Sequence, residues 1–239
     1  MDSIDNFMVT RQPTALRPLL GLTVLLIEDS RFACEAVRLL CIRSGARIRR
    51  ADSLTNAKRH LAVYRPSVMI VDVGLPDGSG INLIEAVAHG SPRISVILGT
   101  SGDPTMAGPV MAAGANGFLD KPIASLSAFQ SAILAHLPAD RQPPGPRLLS
   151  DEVVSPDRVA FHDDLSHVAE VLDERTDTNG TVDYVTNFLH GVAQSAADID
   201  LERAAARLAQ LKSKGAPLEG SLRDLSALVQ DRLRESGPI

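Results

Sequence analysis

The stretch 68-VMIVDVGLPDGSG-80 sets four apolar residues against a carboxylate, Asp72, and follows it with Gly, Pro, Asp and Ser. A short Val- and Ile-rich run bounded by turn residues reads as a strand buried on both faces. A buried strand that finishes on an acid places that acid at the rim of a sheet, where sites form in parallel α/β folds.

Outward from this stretch, strands are predicted at 23-TVLLI-27, 46-ARIRRA-51, 94-ISVIL-98 and 117-GFL-119. Helical spacing fills 31–45, 54–64, 80–90, about 107–114 and 125–137. Strand and helix in strict alternation imply right-handed crossovers and a five-stranded parallel sheet covered on both faces, a doubly wound α/β fold. Pro109 falls in the fourth helix and is tolerated only in a first turn, so that helix is expected to be short or irregular.

The first strand runs into Glu28 and Asp29 and the third ends on Asp72, so three carboxylates are expected to converge at one sheet edge. Like charges at close range raise each other's pKa unless a cation sits among them, and hard oxygen ligands favour Mg²⁺. Thr100 in 99-GTSG-102 offers a hydroxyl at the end of the fourth strand, and Lys121 in 120-DKP-122 an ammonium at the end of the fifth. Acids for a metal, a carboxylate nucleophile, a hydroxyl and an ammonium are the parts of an in-line phosphoryl transfer to Asp72. Asp77 and Asp103 read as loop acids with capping or solvent roles.

On the motifs 24-VLLIEDS-30, 68-VMIVDVGLPDGSG-80, 96-VILGTSG-102 and 114-GANGFLDKP-122, residues 22 to about 138 resemble the response-regulator receiver domains of two-component signalling. The resemblance implies that Asp72 is phosphorylated by a histidine kinase or a phosphotransfer protein. It implies that Glu28, Asp29, Asp72 and the backbone carbonyl of Gly74 hold Mg²⁺. It further implies that Thr100 and Lys121 contact the phosphoryl group, that Phe118 swings inward as Thr100 moves, and that the Lys121–Pro122 bond is cis. A Gly at position 74 is expected to leave a water path open and to shorten the life of the phosphoryl state.

The chain divides, on this reading, into a tail at 1–20, a receiver domain at 21–138, a proline-rich linker at 139–155 and a helical output or dimerisation domain at 156–236. Four prolines and a glycine in 138-PADRQPPGPR-147 make the linker stiff. Beyond it the apolar stripes are helical: Leu165, Val168 and Leu172; Val182, Val185, Phe188, Leu189 and Val192; Leu201, Ala205, Leu208 and Leu211; Leu222, Leu225, Val229 and Leu233. With breaks expected at 177-DTNG-180 and 214-KGAP-217, they describe a four-helix bundle.

Charge separates the halves. Residues 1–140 carry 13 Lys and Arg against 12 Asp and Glu, whereas 141–239 carry 11 against 17. An acidic second half without a basic stripe is a poor surface for a phosphate backbone, so no nucleic-acid partner is expected. No uninterrupted apolar run approaches the roughly 18 residues of a membrane helix, and the acids of the first residues differ from a secretory signal, so a soluble, cytoplasmic, membrane-free protein is expected. Cys34 and Cys41 are expected to be reduced and structural. About 90 residues are too few for a cyclase or phosphodiesterase output, and no Gly-rich nucleotide loop supports autokinase activity.

Within the second half, 189-LHGVAQSAADI-199 resembles the histidine phosphotransfer motif, with His190 at the phosphorylated position. Ala193 stands where that family carries a lysine, and Gln194 replaces its glycine. The stretch 160-AFHDDLSHVAEVL-172, with His162 and His167, resembles a kinase dimerisation segment but lacks its proline. Three functions are thus in play: a phosphorylation switch whose helical domain binds a downstream protein or a second copy, a phosphorelay through His190, and a constitutive scaffold.

Overall fold

In the computed structural model, residues 12–147, 149–173 and 179–235 are described. The first half is built from β1 (Thr23–Ile27), α1 (Arg31–Ser44), β2 (Arg47–Ala51), α2 (Leu54–Val63), β3 (Val68–Asp72), the small hairpin β4 (Gly74–Leu75) and β5 (Gly78–Ser79), α3 (Gly80–Ala88), β6 (Val96–Ser101), α4 (Ala107–Ala112), β7 (Gly117–Asp120) and α5 (Leu126–Leu134). The five long strands form a parallel sheet in the order β2-β1-β3-β6-β7.

Local chemistry explains the elements. Ser30, Ser53, Ser79 and Ser125 each precede a helix and accept a bond from its first-turn backbone, a cap worth about 1 kcal/mol. Gly45 ends α1 in the left-handed region, at φ 83°. Arg47, Arg49 and Arg50 leave the edge strand β2 mostly exposed and charged, which discourages pairing with another sheet. The fourth helix is short, as expected, with Pro109 in its first turn and a 3₁₀ turn at Pro104–Met106 before it.

Each sheet face carries its own core. Val24, Leu26, Ile70 and Leu98 pack against α1 and α5, while Leu25, Ile27, Met69, Val71 and Ile97 pack against α2, α3 and α4. Glycines allow the close approaches. A Cβ on Gly80 would lie 1.9 Å from the Asp72 carbonyl oxygen, and one on Gly99 would lie 2.5 Å from Val110 Cγ1.

The second half is all-helical: α6 (Arg158–Asp173), α7 (Asn179–Ala196), α8 (Ile199–Ser213) and α9 (Glu219–Glu235). All four predicted stripes meet in one core, with Leu165, Val168, Val185, Leu189, Val192, Leu201, Ala205, Leu208, Leu225 and Val229 buried. Of the breaks expected between these helices, the one at 177–180 falls largely outside the described residues. The proline-rich connection lies along α5: Gln142 Nε2 donates to the Leu134 and Leu137 carbonyls, Arg147 Nη1 donates to Gln130 Oε1, and Val154 is buried in the core of the first half.

The helical region rests on the first half through α1. Asp164 of α6 is 2% exposed and accepts from Arg31 N (2.7 Å), Phe32 N (3.0 Å) and Ser30 Oγ (2.7 Å). Unsatisfied N–H groups and the positive end of the helix dipole make this a favourable place for a carboxylate. Burial raises the Asp164 pKa, and these same bonds oppose the rise. Phe161 meets Phe32 edge to face at 5.7 Å, and Asp163 pairs with Arg31 at 2.6 Å.

Candidate functional site

Strand pairing brings the acids together. Ile27 lies beside Val71 in the register of β1 and β3, so Glu28 and Asp29 emerge next to Asp72. Oxygens of the three carboxylates lie within 4.8 Å of one another. Lys121, carried out of β7, reaches between them: its Nζ is 2.7 Å from Glu28 Oε2 and 3.1 Å from Asp72 Oδ2. The peptide bond that follows it, to Pro122, is cis. Glu28 Oε1 accepts from Ser30 N.

The electrostatics follow from burial. Desolvation pushes the Glu28 carboxyl from 4.5 up to about 8, with Asp72 and Asp29 adding to the rise and Lys121 opposing it. Asp29 rises from 3.8 to about 6, first through burial and then through the Asp72 charge. For Lys121, burial favours the neutral amine, but Asp72 and Glu28 outweigh it and the ammonium is held above its ordinary range. Three carboxylates against one ammonium leave a deficit of positive charge in a hard-oxygen cluster. The donor set therefore fits a divalent, oxygen-liganded ion.

Thr100 lies opposite Asp72 in the β3 and β6 register and is fully buried. Its hydroxyl donates to the Leu119 carbonyl at 2.8 Å, so it is engaged with β7 rather than with the acids. Phe118 is half-buried against the α2, α3 and α4 core. Gly74 opens the small hairpin and lines the cavity above Asp72. Asp77 caps α2 through Leu54 N and Thr55, and Asp103 caps the 3₁₀ turn through Thr105 N.

Sequence reasoning missed what covers the cluster. A cavity of about 180 Å³ holds Asp29, Asp72 and Lys121 on one side and Phe188, His190 and Gly191 of α7 on the other. A Cβ on Gly102 would lie 2.9 Å from Gln194 Oε1 and 3.6 Å from His190 Cδ2, and one on Gly191 would lie 3.9 Å from Lys121 Cδ. His190 Nδ1 and Gln194 Oε1 are buried and make no hydrogen bond among the described residues. Tyr184, six residues before His190 on α7, donates its hydroxyl to Asp29 Oδ2 at 2.9 Å. Its phenol pKa is raised by burial and by the adjacent Asp29. With that proton committed to Asp29, the 3.1 Å contact to His167 Nε2 makes the imidazole a donor to the Tyr184 oxygen. His162 lies outside the cavity, its Nδ1 3.4 Å from Ser166 Oγ. The helical periodicity of 182–192 carries no signal that Tyr184 would reach Asp29.

Comparison with known proteins bears on the first half. Residues 24–133 match the sequence profile of the response regulator receiver domain. The KDP operon transcriptional regulatory protein KdpE of Escherichia coli is 29% identical over 99 residues, 41% of this chain and 44% of that protein. The probable transcriptional regulatory protein TcrX of Mycobacterium tuberculosis is 30% identical over 103 residues, 42% of this chain and 43% of that protein. The chain thus spans less than half the length of these relatives. Among solved structures, a putative response regulator from Chloroflexus aurantiacus is 29% identical and covers 48% of this chain and 98% of its own, with a TM-score of 0.44. Chemotaxis protein CheY4 of Vibrio cholerae is 24% identical with the same coverage and a TM-score of 0.45. No helix among the described residues is long and apolar enough to cross a membrane. Sequence profile, strand order and the acidic cluster agree: residues 24–133 form a response-regulator receiver domain, followed by an all-helical region with four helices among the described residues.

Proposed function

We propose that the chain is a cytoplasmic response regulator in which Asp72 takes a phosphoryl group from a histidine kinase or a phosphotransfer protein, changing what the helical domain binds. One observation carries the reading: a buried carboxylate at a strand end, with an ammonium 3.1 Å from its oxygen and two further acids beside it. An Asp72 oxygen attacks phosphorus in line as the P–N bond breaks. The donor imidazole leaves with that electron pair and takes up a proton. Lys121 neutralises charge on the phosphoryl oxygens. Glu28, Asp29, Asp72 and the Gly74 carbonyl would hold Mg²⁺, which when bound supplies further charge neutralisation. Thr100 turns from the Leu119 carbonyl toward the phosphoryl group, and Phe118 moves inward with it. Water then hydrolyses the acyl phosphate, and Gly74 leaves room for it, since nothing lies within 4 Å of where its Cβ would be.

The output falls to the acidic helices, whose partner is a downstream protein or a second copy rather than nucleic acid. The test is incubation with Mg²⁺ and a radiolabelled phosphohistidine donor. Base-labile label on the wild type and none on Asp72→Asn is expected; equal label on both would end the proposal.

A second reading, relay through His190, is favoured by the place of that imidazole in the same cavity as Asp72. In it the acyl P–O bond breaks, a P–N bond forms on His190 and Asp72 regains its carboxylate. Acid-labile, base-stable label that vanishes in His190→Gln would select this reading, and its absence from the wild type would remove it.

A further inference from the structure

We propose that the helical region is a cover that decides which phosphodonors reach Asp72, admitting small molecules while docked and excluding a phosphohistidine carried on a protein. The inference rests on the reading of Asp72 as the phosphoryl acceptor.

The cover is built, not incidental. It is tied at two points beyond β1: Tyr184 donates to Asp29 in the loop, and Asp164 accepts from Ser30, Arg31 and Phe32 at the start of α1. Asp164 is buried, so its carboxylate is matched to the α1 N-terminus rather than left to solvent. Gly191 faces the Lys121 stem, a Cβ there lying 3.9 Å from Lys121 Cδ, and Phe188 and Val192 line the same cavity. The stretch 187–192 of α7 therefore lies across the mouth of the site.

Size sets the selectivity. Transfer requires the reacting atoms to approach within about 3–3.5 Å, and a helix bearing a phosphohistidine is itself about 10–12 Å across. That volume is taken by α7. The cavity left beneath it, about 180 Å³, accommodates a phosphoryl group with a few waters. Asp103 and Asn187 at its rim are solvent-exposed, which gives a small donor a way in. A protein donor reacts only with the fraction of molecules in which the helices have lifted, so its apparent rate is scaled down by that fraction. The same lifting uncovers the α6 and α7 surface that grips α1.

The experiment compares two donors, phosphoramidate and a purified phosphohistidine-bearing phosphotransfer domain of broad receiver specificity, on the full chain with Mg²⁺. Two variants loosen the cover by separate contacts, Tyr184→Phe at Asp29 and the pair Phe161→Ala with Asp164→Asn at α1. Each is expected to raise the labelling rate from the protein donor about tenfold or more, while the phosphoramidate rate stays within about threefold. Rates that are unchanged in both variants, or that rise in parallel for both donors, would overturn the cover. Failure of phosphoramidate to label Asp72 at all would instead count against Asp72 as acceptor.

Discussion

The two halves of this chain place their chemistry in different ways. In the receiver half, backbone topology does the placing: parallel strands end side by side, so Glu28, Asp29, Asp72 and Lys121 converge because of where each falls on its strand. In the helical half, periodicity fixes which residues enter the bundle core, while Tyr184, Asp164 and His190 acquire their neighbours only when the bundle docks. Strand-end position is a local property of sequence, whereas docking is not.

Removing a charge from each half sharpens the contrast. Lys121→Met leaves Glu28 and Asp72 buried without their ammonium, and a loss of about 3–5 kcal/mol is expected by chemical denaturation without metal. Added Mg²⁺ is expected to restore part of that loss. Arg232→Gln, which breaks the pair between Arg232 and Asp198 joining α9 to the start of α8, is expected to cost only about 1–2 kcal/mol because the pair is partly buried and no second acid shares the burial. Equal losses would show that the site has no special electrostatic debt.

Glycines divide the halves in the same way. Gly80→Ala drives a Cβ into the Asp72 carbonyl and is expected to destabilise by about 1–3 kcal/mol. Gly220→Ala, in the first turn of α9 with nothing within 4 Å, is expected to stabilise by about 0.5 kcal/mol. Thermal melts of the two variants would decide this, and a neutral Gly80→Ala would mean that β3 and α3 separate easily.

The acid cluster is also expected to make stability depend on pH. Glu28 and Asp29 bind protons more tightly folded than unfolded, so the metal-free protein is favoured below about pH 4 and loses that stability as pH rises through about 6 and then about 8. Because Mg²⁺ competes with these protons, its stabilising effect should grow over the same window. Melting temperatures at pH 5 and 8, with and without Mg²⁺, check the sign, and a metal-free protein more stable at pH 8 would contradict it.

How much could be read from the chain alone follows from the same contrast. Asp72, Lys121 and the acid pair were legible because each sits at the end of an apolar run, and the four bundle stripes because they repeat at helical spacing. The hairpin of Gly74–Leu75 and Gly78–Ser79 escaped because two-residue strands have no periodicity to read. The direction of the Thr100 hydroxyl escaped because rotation about one side-chain bond chooses between Leu119 and the acids. The proline-rich connection reads as a spacer, yet Val154 ends in the receiver core and Arg147 on Gln130, contacts between distant parts of the chain that no local pattern announces.

The most direct measurement is intact mass after treatment of the full chain with phosphoramidate. One phosphoryl adduct is expected on the wild type with Mg²⁺, and none after chelation or on Asp72→Asn. An adduct that survives in Asp72→Asn, or none on the wild type, would contradict the assignment of Asp72 as the acceptor.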